Sequence, residues 1–202
     1  MNKLYLLVLL CLMCFGSCSP KIETIQEEVI DSLELYIQPY NISNSKQVID
    51  FKDSLQIHLN EIITKPTNII ILPNIQLDDS LKATSTKYKA SAILRNQVSM
   101  NLSGPVIGFT NYDISTRCRG IDNWGVLGLS FLNKNTCIVS TYRLKDKSLI
   151  WKVGIHELMH AHYGLRHCPN DSDSCIMKDA KGKANFKNKD HLCDTCKKLI
   201  YD

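Results

Sequence analysis

His156, Glu157 and His160 stand together in the stretch HELMH, and His167 follows a few residues later. On a helix, two histidines four residues apart project from one face, a turn apart, and can share a metal ion. Glu157 lies about 100° round the helix from His156, beside the metal and not on it. A base must stand there to take a proton from a zinc-bound water. Gly164 can adopt positive φ and stop the helix, and Pro169 blocks its resumption, so the chain can swing His167 back as a third ligand. Three histidines with one open position make a catalytic zinc site, since a structural site fills all four positions. The chemistry expected is hydrolysis by a zinc-activated water, with Glu157 as general base. Of the other histidines, His162 projects about 200° from His160 and reads as surface or supporting. His58 reads as a packed helix residue and His191 as a surface residue.

The cysteines form a second constellation. Of nine in the chain, Cys11, Cys14 and Cys18 lie near the N-terminus, which leaves Cys118, Cys137, Cys168, Cys175, Cys193 and Cys196. An even set in an exported protein pairs by default as disulfides. Four of the six, however, fall within the last 35 residues, two of them in CDTC. Four thiolates there would make a closed tetrahedral metal site; disulfides are the alternative. Cys118 and Cys137 read as a disulfide, or else as two buried free thiols.

Several elements must position these groups. LELYIQPY reads as a strand ending near Pro39. From Ser45, the plausible cap, Val48, Phe51, Leu55, Leu59 and Ile62 recur as the stripe of an amphipathic helix. Residues 68–72, NIIIL, are an apolar run between prolines, as expected of a buried parallel strand. A shorter helix is expected over residues 88–97. PVIGFTNYDI reads as one strand, and GVLGLSFL and TCIVSTYRL as two more joined by the turn NKNT. The metal-bearing helix is expected over residues 148–162. Strands alternating with helices, then a closing pair, predict an α/β domain whose mostly parallel sheet has one antiparallel edge.

The run HELMHAHYGLRHC, then six residues, CIM, fifteen residues and CDTC resembles the archaemetzincins of the metzincin clan. Their pattern is HExxHxxGxxHC, four residues, CxM, seventeen residues, CxxC. This chain has one additional residue before Gly164, and its two loop lengths depart in opposite directions. YKASAIL and VIGFTNYDI upstream are also similar. The resemblance implies a metzincin-like mixed, twisted sheet with an antiparallel edge strand, a backing helix, an active-site helix and a small zinc-bound C-terminal subdomain. It implies two zinc ions: a catalytic one on His156, His160 and His167, and a structural one on Cys168, Cys175, Cys193 and Cys196. Met177 would be the Met-turn residue beneath the histidines. The activity implied is a zinc metallopeptidase acting on a peptide or protein, held by strand addition along an edge strand. WGVLGLSF is the candidate strand; Tyr112 and Tyr142 are weak candidates for a second oxyanion donor. The competing reading is a catalytically silent, zinc-stabilised lipoprotein that binds peptides or partners.

At 202 residues the chain has room for one domain and a tail, and can bury a core without disulfides. A net charge of +4 with no basic, aromatic-interleaved run excludes nucleic acid as a natural partner. The N-terminus has a lysine, an apolar run over residues 4–15 too short to span a bilayer comfortably, and then small residues, the layout of a secretory signal. FGSC resembles a bacterial lipobox, with Cys18 as the lipidated first residue of the mature chain. The expected organisation is a signal peptide over 1–17, a lipidated tether over 18–31 and the metallopeptidase domain over 32–202, with its Cys-rich subdomain from about 165. The expected location is that of an exported bacterial lipoprotein, membrane-anchored in the periplasm or at the cell surface.

Overall fold

The computed structural model describes residues 32–170, 172–180 and 186–201. The expected signal peptide, Cys18 and the tether lie outside the described residues. Among those described, no helix is long and apolar enough to cross a membrane.

The main sheet has the order β2-β1-β5-β9-β8. Strands β1 (Leu33–Tyr40), β2 (Thr67–Ile71), β5 (Val106–Thr110) and β9 (Thr136–Ser140) run parallel. Strand β8 (Gly128–Phe131) closes the edge antiparallel to β9. The mostly parallel sheet with an antiparallel edge is therefore present. The alternation of side chains along its strands divides two cores. Leu35, Ile37, Ile107, Phe109, Cys137 and Val139 face one way. Tyr40 and Ile138 face the other.

Helix α1 (Ser45–Ile62) covers the first face with the five stripe residues, all buried. Its cap is Asn44 and not Ser45: the Asn44 side chain accepts from the Lys46 amide at 3.0 Å, a contact worth about 1 kcal/mol. Phe51 stacks on Phe109 with ring centroids 4.8 Å apart. The same ring packs at Gly154 of helix α3 (Ile150–Ala161), where a Cβ would come within 3.0 Å of it. Glycine thus lets the histidine-bearing helix lie close on the backing helix. His58 stacks on Trp151 at 3.4 Å, the packing role expected of it. Helix α2 (Ala90–Val98) covers the opposite face through Ile93 and Leu94.

Three expectations are corrected. β2 is half exposed because it forms the sheet's edge, so its apolar run is not that of a buried central strand. PVIGFTNYDI is two strands: the chain turns at Asn111–Tyr112, and β6 (Asp113–Cys118) enters a second sheet. That sheet, of order β3-β4-β6-β7, adds β3 (Lys82–Thr84), β4 (Lys87–Lys89) and β7 (Ile121–Val126). Arg119 and Gly120, both at positive φ, form the β6–β7 hairpin turn. Finally, WGVLGLSF is not one strand, because it leaves β7 and enters β8 at Leu127.

The C-terminal region ends in helix α4 (Asp194–Tyr201). The Ile176 amide donates to His191 O at 2.8 Å, and the Tyr201 hydroxyl donates to Ile62 O at 2.8 Å, tying this region to itself and to α1.

Candidate active site

Helix α3 carries His156 and His160 on one face, as their spacing requires. The helix is apolar and buried nearly throughout, so the histidines sit in the core and not on a loop. The additional residue before Gly164 is absorbed at the helix end. There the Leu165 amide donates to Met159 O at 3.1 Å, six residues back. The usual helix-ending bond closes between residues five apart. Gly164 supplies the left-handed turn with φ +65°, and a Cβ there would lie 2.0 Å from Asn133 Oδ1. The chain then returns His167 to the other two rings, at centroid distances of 5.4 Å from His156 and 4.9 Å from His160.

The donor set fits a metal ion. His156 Nδ1 donates to Ile176 O at 2.8 Å, and His160 Nδ1 donates to Leu165 O. A carbonyl oxygen only accepts, so both rings carry their proton on Nδ1. Both Nε2 atoms then present bare lone pairs, and they lie 3.1 Å apart with no hydrogen between them. Burial depresses both imidazoles, His156 to about 3, which favours the neutral ring with its single proton on Nδ1. Two Zn–N bonds of about 2.0–2.1 Å in tetrahedral geometry put nitrogens about 3.3–3.4 Å apart. One ligand atom from each of His156, His160 and His167 lies within 4.8 Å of the others.

Glu157 is buried behind β8. A Cβ at Gly128 would lie 2.8 Å from Glu157 Oε1, so glycine there lets the edge strand lie against the carboxylate. Desolvation lifts this carboxyl to about 7, against a smaller lowering by the Ser130 hydroxyl bonded to it. Both residues line one cleft of about 650 Å³ together with the three histidines.

Cys168, Cys175, Cys193 and Cys196 gather in a second cluster, again with ligand atoms within 4.8 Å. All are free thiols, at S···S distances of 3.5 Å (Cys168–Cys193) and 3.8 Å (Cys175–Cys196). A disulfide needs about 2.05 Å, whereas tetrahedral Zn–S bonds of about 2.3 Å give about 3.8 Å. The two clusters are joined by backbone. His167 precedes Cys168, whose amide donates to Met177 O at 2.9 Å. Cys175 precedes Ile176, whose carbonyl holds His156. Met177 is fully buried in this connection.

Several other residues lie outside the two ligand clusters. Cys118 and Cys137 are not a disulfide: Cys137 is buried in the main sheet, while Cys118 ends β6 in the other. Tyr112 and Tyr142 are exposed and do not line the cleft. His162 turns away, and its Nδ1 donates to Asn135 Oδ1 at 2.8 Å. His191 is exposed and pairs with Asp190 at 2.6 Å. Sequence reasoning missed Arg143, which lines the cleft and is locked to buried Asp113 by two bonds of 2.7 and 2.8 Å. Asp113 lies in FTNYD and Arg143 in TYRL, each read as part of a strand; an acid and an arginine inside apolar runs are the signal that was available.

No family model matches the chain. An archaemetzincin of Haloquadratum walsbyi is 28% identical over 140 residues, covering 61% of this chain and 77% of that protein. An archaemetzincin of Halobacterium salinarum is 26% identical over 132 residues, covering 57% and 72%. The crystal structure of archaemetzincin from Methanopyrus kandleri superposes with a TM-score of 0.69 at 21% identity, over 84% of this chain and 94% of that one. The fold is thus the mixed α/β fold of that structure.

Proposed function

On the premise that this chain belongs with the archaemetzincins, we propose that it is a zinc-dependent peptidase. The observation that carries this reading is the pair of proton-free Nε2 atoms 3.1 Å apart, with a buried carboxylate on the next residue along the helix. His156, His160 and His167 would hold one zinc ion, and Cys168, Cys175, Cys193 and Cys196 a second. Zinc held by the histidines supplies a Lewis acid that polarises a carbonyl and acidifies a water. Glu157 takes a proton from the attacking water at a carboxylate oxygen and returns it to the departing amine nitrogen. The edge of β8 away from β9 offers backbone donors and acceptors, along which an extended peptide can add as a further strand. Gly128 keeps that edge close to Glu157.

The test is metal analysis of reduced protein together with cleavage of a broad peptide library. Two zinc ions per chain and hydrolysis are expected. Peptide binding without hydrolysis by the zinc-loaded protein would replace the enzyme with a binding module. One zinc, with Cys193 and Cys196 oxidised, would replace the second metal site with disulfides.

The proposed location rests on the N-terminal sequence alone. The mature chain should begin at an acylated Cys18, measured by intact mass of the membrane fraction. A different start without acyl mass, or unchanged membrane association of Cys18→Ala, would reject it.

A further inference from the structure

Arg143 is a cation fixed in the cleft wall with more than half of its hydrogen-bonding capacity unused. Asp113 takes Nε and one Nη2 hydrogen at 2.7 and 2.8 Å. A guanidinium has five N–H donors, so three remain, two of them on the end-on edge formed by Nη1 and Nη2. Asp113 is its only hydrogen-bonding partner among the described residues. The Asp113 side chain is 5% exposed and that of Arg143 38%, so the buried carboxylate anchors a head that reaches the cleft. Gly125 is what makes room, since a Cβ there would lie 2.1 Å from Arg143 Cζ. The other cleft arginine, Arg117, is 73% exposed and pairs loosely with Asp122 at 3.3 Å, so it offers no comparable fixed fork.

We propose that Arg143 is a specificity-determining residue: the end-on edge of its guanidinium receives a substrate carboxylate. This rests on the peptidase reading above. Two glycines in one run of chain set the spacing. Gly125 lies against Arg143 and Gly128 against Glu157. Three residues of chain span at most about 11 Å. An extended substrate advances about 3.4 Å per residue, so the bound carboxylate belongs to a group within about three residues of the scissile bond. An end-on fork matches a carboxylate bidentately. Both a free C-terminus and an Asp or Glu side chain carry that chemistry.

The experiment compares matched peptides: a free C-terminal acid against its amide, and an internal Asp or Glu against Asn or Gln. The zinc-loaded wild type should prefer at least one acid over its neutral counterpart by about tenfold or more in kcat/KM, the usual worth of a charge-assisted bond. Which pair shows the preference identifies the source of the carboxylate. In Asp113→Asn/Arg143→Gln, which removes both charges without leaving a buried one unpaired, the ratio should fall to near one. Should that variant not fold, Arg143→Lys keeps a charge beside Asp113 but lacks the fork, and should lower the ratio. Equal cleavage of all peptides by wild type overturns the subsite and leaves the peptidase standing. A preference that survives both substitutions also overturns it. Cleavage of none removes the peptidase, and calorimetric titration of Glu157→Gln with the same peptides then decides the subsite: tighter binding of an acid supports it, and equal affinities overturn it.

Discussion

Replacing Glu157 by alanine should lower peptide hydrolysis by about 10²–10⁴-fold, the usual contribution of a general base, while zinc content stays at the wild-type level. The two outcomes separate because the carboxylate lies one residue from a ligand and is held behind β8 by Gly128, beside the proposed ion and not part of its donor set. Glu157→Gln provides the isosteric control. It keeps the volume and removes the basicity, so it should lose activity to a similar degree. Stability should change little in the glutamine variant, because burial already disfavours the charged carboxylate. Steady-state kinetics, metal analysis and thermal unfolding of the three proteins check the set. A Glu157→Gln protein that hydrolyses peptides at the wild-type rate would remove Glu157 from the mechanism.

The second large effect concerns the thiol cluster. Cys196→Ser should lose the zinc bound by the cysteines and, with it, weaken the histidine site by about 10–100-fold in zinc affinity, the range seen when groups supporting metal ligands are removed. The reason is the backbone link. Ile176, whose carbonyl sets the tautomer of His156, directly follows Cys175, and His167 directly precedes Cys168. Freeing the four sulfurs therefore loosens two of the three imidazoles. Competition with a graded series of chelators measures the histidine site, and thermal unfolding measures the domain. Cys118→Ser, outside either cluster, should alter neither reading. If Cys196→Ser bound the remaining zinc as tightly as wild type, the two sites would be independent.

The parts of the structure legible in sequence are those governed by local periodicity. The α1 stripe and the four-residue histidine spacing each follow from 3.6 residues per turn, and both are present. The antiparallel closing pair β8–β9 was legible from its turn. The second sheet was not. β7 (IDNWGV) is largely exposed and mixes apolar with polar residues without alternation, and its hairpin turn uses Arg119 at positive φ where asparagine or aspartate is the usual signal. The Asp113–Arg143 pair was hidden for another reason: thirty residues separate its members, and the parallel pairing of β5 with β9, which sets Thr110 opposite Ser140, brings them together. The free state of Cys118 and Cys137 is likewise a matter of which sheet each joins.

The ends of helix α3 and of the β8–β9 hairpin are stitched together. The Asn133 amide donates to His160 O at 3.3 Å and the Asn135 amide to Ala161 O at 3.0 Å, so turn amides satisfy carbonyls that a helix terminus would otherwise leave open. A surface turn rich in asparagine is ordinarily where a protein breathes fastest and accepts inserted residues most readily. Here the turn is a weld between the wall of the cleft and the scaffold of its metal ligands. Its amides should exchange with solvent on the slow timescale of the helix core, and lengthening it would move the edge strand and the histidines against each other. The NKNT turn is therefore the wrong place for a tag or a graft, and the β8 wall of the cleft cannot yield independently of the three histidines beneath it.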